Sequence, residues 1–178
     1  MRIISGTHKG RRIVAPKKLP VRPTTDRSKE ALFNILQHQY DWSSIRVLDL
    51  FSGTGSISYE FASRGVTEVF SVDKNNSCIK FIQKTAEKLN FDINTIQSDV
   101  LKYLFSINLD FDLIFADPPY DLVHESYLKL VNTVFENNQL RKDGLLILEH
   151  SEQIHLEAYP QFIQARKYGS NIFSFFKR

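Results

Sequence analysis

From Ile45 onward, short apolar runs alternate with stretches of helical spacing along the chain. "IRVLDL" gives way to Ser56 to Arg64, "TEVFSVD" to Asn75 to Leu89, and "FDINTIQSD" leads on to "FDLIFAD". A helix near His124 to Glu136 then precedes "DGLLILEH". Strand and helix repeated in this order predict a largely parallel sheet with helices on both faces, in the α/β class. The nearly continuous apolar character of "LLILE" and "LIFAD" fits strands covered on both sides. Two more strand-like runs, near Gln161 to Tyr168 and Asn171 to Lys177, are separated by a turn too short for a crossover. They predict an antiparallel hairpin at one edge.

The first forty residues follow another pattern. Arg2 to Ser5 and Arg11 to Ala15 are β-branched runs joined by a loop with Gly6 and Gly10, which predicts a small hairpin. Pro16, Pro20 and Pro23 keep the next segment extended. Thr24 or Thr25 can cap a helix in which Ala31, Leu32, Ile35 and Leu36 recur at helical spacing. Trp42, between helix and strand, reads as a packing residue.

A chain of 178 residues, 42% apolar and 24% charged, fits one domain over 1–178, with an arm at 1–24 and a core at 25–178. The lone Cys78 cannot form an internal disulfide, and "MRIISGTHKG" has no signal or membrane stretch. The expectation is a soluble, cytoplasmic protein. The net charge of +3 hides a segregation: residues 1–30 hold nine Lys or Arg against two acids, the rest fourteen against eighteen. A basic arm suits a polyanion, since each cation that meets a phosphate releases counterions; a solvated basic face is the bland alternative.

"LDLFSGTGS" places Gly53 and Gly55 where a strand turns into a helix, the usual ligand edge of such sheets. The third glycine of a dinucleotide fingerprint is replaced by Ser58, so the loop by itself is weak evidence. Asp73 strengthens it, since it stands 20 residues after Gly53, at the spacing from which an acid accepts ribose hydroxyls. Asp49, Asp99 and Asp117 also lie at strand ends. Four carboxylates would repel a pyrophosphate, whereas S-adenosylmethionine carries a sulfonium, an ammonium, an adenine amine and a diol. Asp49 then suits the ammonium end, Asp73 the ribose and Asp99 the adenine, although Asp99 could instead cap a helix at "VLKYLF".

"IFADPPY" joins this arrangement. Pro118 and Pro119 fix two φ angles and remove two donors, leaving the turn's carbonyls and Asp117 as acceptors. Such acceptors would hold an exocyclic amine with its lone pair aimed at a methyl donor, while Tyr120 stacks on the base for about 1–3 kcal/mol. Asp117 could also take the departing proton.

In order, "LDLFSGTGS", Asp73, "SDV" and "DPPY" resemble amino-methylating methyltransferases. "RIISGTHKGRRIVAP", "RPTTDRSKEALFNIL" and "KYGSNIFSFF" are similar to the RsmD family of 16S ribosomal RNA guanine-N2 methyltransferases, across nearly the whole chain. The resemblance implies a Rossmann-like class I methyltransferase fold, with a seven-stranded sheet and an N-terminal hairpin extension. It implies S-adenosylmethionine as cofactor, S-adenosylhomocysteine as product, and one guanine of the 30S subunit, or of a late assembly intermediate, as target. The cofactor set becomes Asp49, Phe51, Gly53, Thr54, Gly55, Asp73, Lys74, Ser98, Asp99 and Val100. The target-amine set is Asp117, Pro118, Pro119 and Tyr120. His8, Lys9, Arg11, Arg12, Lys17 and Lys18 would meet RNA phosphates, with Arg22, Thr24 and Arg27 beside the active-site mouth. Phosphate contacts of this kind set register rather than base identity.

His150 and His155, with Glu149 and Glu152 near, lack the helical spacing of a zinc site, and methyl transfer from a sulfonium needs no metal. The further expectations are a monomer and no membrane partner. Two rivals stay open: an adenine-N6 or other amino methyltransferase, and a non-catalytic RNA-binding module with a nucleotide pocket.

Overall fold

The computed structural model describes residues 1–16, 19, 25–119 and 122–178. Its centre is a seven-stranded sheet in the order β3-β2-β1-β4-β5-β7-β6. The strands are β1 (Arg46–Leu50), β2 (Glu68–Asp73), β3 (Ile93–Gln97), β4 (Phe111–Ala116), β5 (Leu140–Ser151), β6 (Phe162–Tyr168) and β7 (Asn171–Lys177). The helices are α1 (Asp26–Leu36), α2 (Ser56–Ser63), α3 (Asn76–Leu89), α4 (Val100–Ser106) and α5 (His124–Glu136), with a 3-10 turn at Trp42–Ser44.

The first five strands run parallel, and β7 enters antiparallel between β5 and β6. The C-terminal hairpin therefore contributes an inner strand, β7, and an edge strand, β6, opposite the edge formed by β3.

Side chains of adjacent strand residues point to opposite faces, and this alternation divides the core in two. Val47, Leu113, Phe115, Leu145 and Ile147 meet Leu32, Phe33 and Leu36 of α1 and Phe61 of α2 on one face. Leu48, Leu50, Ile114, Leu146 and Leu148 meet Leu104 of α4 and Leu130, Val131 and Val134 of α5 on the other. Trp42 packs against Phe33 and Phe61, ring centroids 6.0 and 5.9 Å apart.

β5 starts three residues before "DGLLILEH". An irregularity shifts its register on β4 between the pairs Phe111–Leu140 and Leu113–Leu145, and Asp143 there takes φ +65°. A chain that gains extra residues beside an even partner must bulge, and alternation alone does not reveal it.

The N-terminal hairpin is narrower than two paired strands. A single antiparallel bridge joins Arg2 and Arg12. The Ile4 and Ser5 N–H groups turn instead to the Glu60 carboxylate of α2, at 2.8 and 3.0 Å. Glu60 is fully buried, with the Arg64 guanidinium at 2.9 Å and the likewise buried Lys29 ammonium of α1 at 3.8 Å. Lys29 Nζ also donates to the Arg2 carbonyl and the Ser56 hydroxyl, while burial lowers its pKa. At Gly6, φ is +84° and a Cβ would stand 1.8 Å from the Ser63 carbonyl oxygen, so only glycine allows the loop to lie on α2. Arm, α1 and α2 are thus locked together through one buried ionic cluster. Among the described residues no helix is long and apolar enough to cross a membrane.

Candidate active site

A cavity of about 410 Å³ opens at the carboxyl ends of the parallel strands. Asp49 of β1, Asp73 of β2, Asp99 after β3 and Asp117 after β4 all line it. Parallel strands share one direction, so their ends must meet on one edge, and here an acid stands at each of the first four.

Local backbone geometry orients these acids. β1 leaves the sheet at Phe51, whose φ of +57° is a left-handed conformation that costs a non-glycine residue about 1–3 kcal/mol. The chain then turns through Gly53, whose N–H donates to Asp73 Oδ2 at 2.8 Å. The other oxygen, Oδ1, accepts the Asn75 N–H at 2.8 Å. Asp99 Oδ1 caps α4 by accepting the Lys102 N–H at 3.1 Å, so the capping alternative holds and Asp99 lines the cavity as well.

Asp49 is the most enclosed of the four. Its Oδ2 accepts both the N–H and the hydroxyl of Ser58, at 3.1 and 2.5 Å, and that hydroxyl also meets Ser71 Oγ at 2.6 Å. Burial pushes its carboxyl up to about 7, with the nearby charges of Asp117 and Asp73 adding to the rise and the Ser58 bonds opposing it.

Most of the expected cofactor residues come together. Phe51, Gly53, Thr54, Lys74 and Val100 line the cavity with Asp49, Asp73 and Asp99. Gly55 and Ser98 are not in its lining. Gly55 adopts φ +79°, and a Cβ there would press on Ile82 and Tyr59 at 2.9 Å, so backbone conformation and packing both require the glycine. Ser98 holds the neighbouring loop, its N–H donating to the Asp73 carbonyl at 3.1 Å.

Asp117, Pro118 and Pro119 form the adjoining wall. Tyr120, Lys17, Lys18, Arg22 and Thr24 lie outside the described residues. Lys9, Arg11, Arg12 and Arg27 are exposed, whereas His8 is half-buried with its ring edge-on to Phe91, centroids 4.7 Å apart.

The cavity also holds residues that sequence reasoning did not place there, notably Thr25, Leu122, Glu149 and Asn171. Glu149 stood within reach of the rule that selected the other acids. It lies near the carboxyl end of the fifth parallel strand, and the strand-end argument stopped one strand short. Asn171 starts antiparallel β7, which brings that strand's first residue to the edge where its parallel neighbours finish. His150 is engaged elsewhere: Nδ1 donates to the Ser151 carbonyl at 2.8 Å and Nε2 meets Ser174 Oγ at 2.7 Å. Among the described residues no three or more His, Cys, Asp or Glu side chains are grouped to hold a metal ion.

The family model described as Conserved hypothetical protein 95 matches residues 1–177. The chain belongs to this family. Family relatives include "Putative rRNA methyltransferase YlbH" of Bacillus subtilis, 32% identical over 187 residues and covering 100% of this chain and 99% of that protein. The "Ribosomal RNA small subunit methyltransferase D" of Haemophilus influenzae is 31% identical over 157 residues, 84% of this chain and 78% of its own. The structure of hypothetical protein TTHA0928 of Thermus thermophilus superimposes with a TM-score of 0.86 at 23% identity, over 100% of this chain and 99% of that one. The resemblance to the RsmD family holds, and the fold is that of class I methyltransferases.

Proposed function

We propose that this chain methylates the N2 amine of one guanine in 16S ribosomal RNA, using S-adenosylmethionine. The observation that carries the reading is the meeting of four strand-end carboxylates and the Asp-Pro-Pro turn in one cavity. The names of the relatives support a ribosomal RNA substrate. The basic, exposed Lys9, Arg11 and Arg12 fit its phosphates. The assembled or nearly assembled 30S particle as substrate, a monomeric enzyme and a cytoplasmic location belong to the same reading.

The donor set fits the cofactor: a cation with an ammonium, a diol and an amine suits a cavity lined by carboxylates and backbone acceptors, and a pyrophosphate does not. S-adenosylmethionine supplies an electrophilic methyl carbon on sulfur and leaves as S-adenosylhomocysteine. Asp49 would accept the ammonium, Asp73 the ribose hydroxyls and Asp99 the adenine amine. Asp117 and the proline-turn carbonyls would accept the two N2 hydrogens, turning the nitrogen lone pair toward the methyl group and favouring the positive charge that develops there. Asp117, or water beside it, would take the N2 proton that the methylated amine must shed.

Transfer of labelled methyl to 30S particles lacking the modification, followed by nucleoside analysis, tests this. N2-methylguanosine is the expected product. N6-methyladenosine would overturn the base assignment, and tight RNA binding without any product would leave a binding module.

A further inference from the structure

We propose that Glu149 reads the Watson–Crick edge of the target base, accepting the guanine N1–H beside the N2 amine and thereby excluding adenine. The proposal rests on the guanine reading above. Ala116 and Leu148 are the last parallel pair of β4 and β5, so the residues that follow them, Asp117 and Glu149, leave the ladder from neighbouring positions, where adjacent strands lie about 4.8 Å apart. Both line the cavity, next to Pro118 and Pro119. Glu149 is 1% exposed, and Asn171 Nδ2 donates to its Oε1, pinning the carboxylate from the start of β7.

The chemistry of the two bases then decides. A carboxylate only accepts, and its two oxygens together can take about four hydrogen bonds, so a carboxylate already held in place can still receive a ring N–H. Guanine presents N1–H and the N2 amine as adjacent donors, and two neighbouring carboxylates match both. Adenine presents its amine beside a bare N1 lone pair. With adenine's amine on Asp117, that lone pair would face Glu149, and a desolvated acceptor would meet an acceptor. Sites built to bond a particular donor discriminate strongly against analogues lacking it, because the buried partner is left unmatched. Asp117 and the prolines would then hold any exocyclic amine, and Glu149 would choose the ring that bears it.

The test compares guanosine with 2-aminopurine riboside, which keeps the N2 amine but has a lone pair at N1. Binding is measured with S-adenosylhomocysteine present. The wild type should prefer guanosine by at least about tenfold, the worth of one well-made hydrogen bond. Glu149→Gln, whose amide can donate to N1, should lose or invert that preference while retaining wild-type affinity for S-adenosylhomocysteine. Should Glu149→Gln fail to fold, Asn171→Ala should weaken the preference with the carboxylate intact. The proposal is overturned if Glu149→Gln keeps the wild-type preference, if Asn171→Ala keeps it where the first variant cannot be made, or if the wild type shows none. These outcomes stay separate from failure of the functional reading. A wild type that makes N2-methylguanosine while Glu149→Gln retains its base preference refutes the role of Glu149 alone, and a wild type that makes none refutes the reading beneath it.

Discussion

The Ser58 hydroxyl donates to Asp49 Oδ2 across 2.5 Å in a pocket of the core that leaves Asp49 2% exposed. A carboxyl pushed up to about 7 by burial binds its proton more tightly folded than unfolded, where its ordinary value is 3.8. Its contribution to stability is therefore fully present below about pH 4 and falls as pH rises through 7. Asp49→Asn should remove that slope and melt higher than the wild type at pH 8, as thermal denaturation from pH 5 to 8 would show.

On the proposed reading the same carboxyl ionises to pair with the ammonium of the cofactor. Affinity for S-adenosylhomocysteine should rise between pH 6 and pH 8 with proton release, and Asp49→Asn should weaken binding about 10- to 100-fold at pH 8. Titration calorimetry in buffers of different ionisation enthalpy reads both effects. A pH-independent affinity in the wild type would place the ammonium elsewhere.

Asp117→Ala should lower methyl transfer at least about 100-fold, the scale for removing one preorganised polar contact to a transition state. Affinity for S-adenosylhomocysteine should stay close to wild type. Loss of cofactor binding ahead of turnover would contradict the division between donor and acceptor subsites.

Replacing Lys9, Arg11 and Arg12 together by Ala should weaken binding to 30S particles and flatten its salt dependence by about one unit of slope per lost phosphate contact. Filter binding over a range of salt concentrations measures this. An unchanged slope would take the exposed face of the arm out of the interface.

Glu60→Ala should destabilise the fold by about 3–5 kcal/mol, since it leaves the Lys29 ammonium buried without its carboxylate and frees two backbone donors of the arm. Urea denaturation gives the loss. In variant protein that remains folded, RNA affinity should fall further than cofactor affinity, because the arm hangs on this carboxylate and the cofactor subsite does not.

The sheet was legible because its central strands β1, β4 and β5 announced themselves by apolar runs, and because parallel strands deliver their end residues to one place. Asp73 could be found from Gly53 by counting, since a βαβ unit has a nearly constant span. Glu60 and Lys29 were not legible. Two opposite charges on different helices read as solvated surface until packing brings them into the core, and the hairpin they anchor looked self-sufficient. Gly55 carries a second constraint for a related reason: a glycine after a strand suggests ligand approach, while here two core side chains also fill the space a Cβ would need. Glu149 was in view as a fragment of a metal motif, and only its register beside Asp117 gives it a different meaning.

The buried cluster around Glu60 has a geometrical consequence. The loop that curves past Gly53 continues directly into α2, and α2 carries the carboxylate to which the arm is tied. An eight-residue helix is about 12 Å long, and on the proposed reading it would fix the reach from the arm's cations to the methyl donor as a caliper fixes the gap between its jaws. On the proposed reading, many guanines could satisfy the chemistry of the pocket, and those whose phosphates lie at the wrong reach would never arrive there.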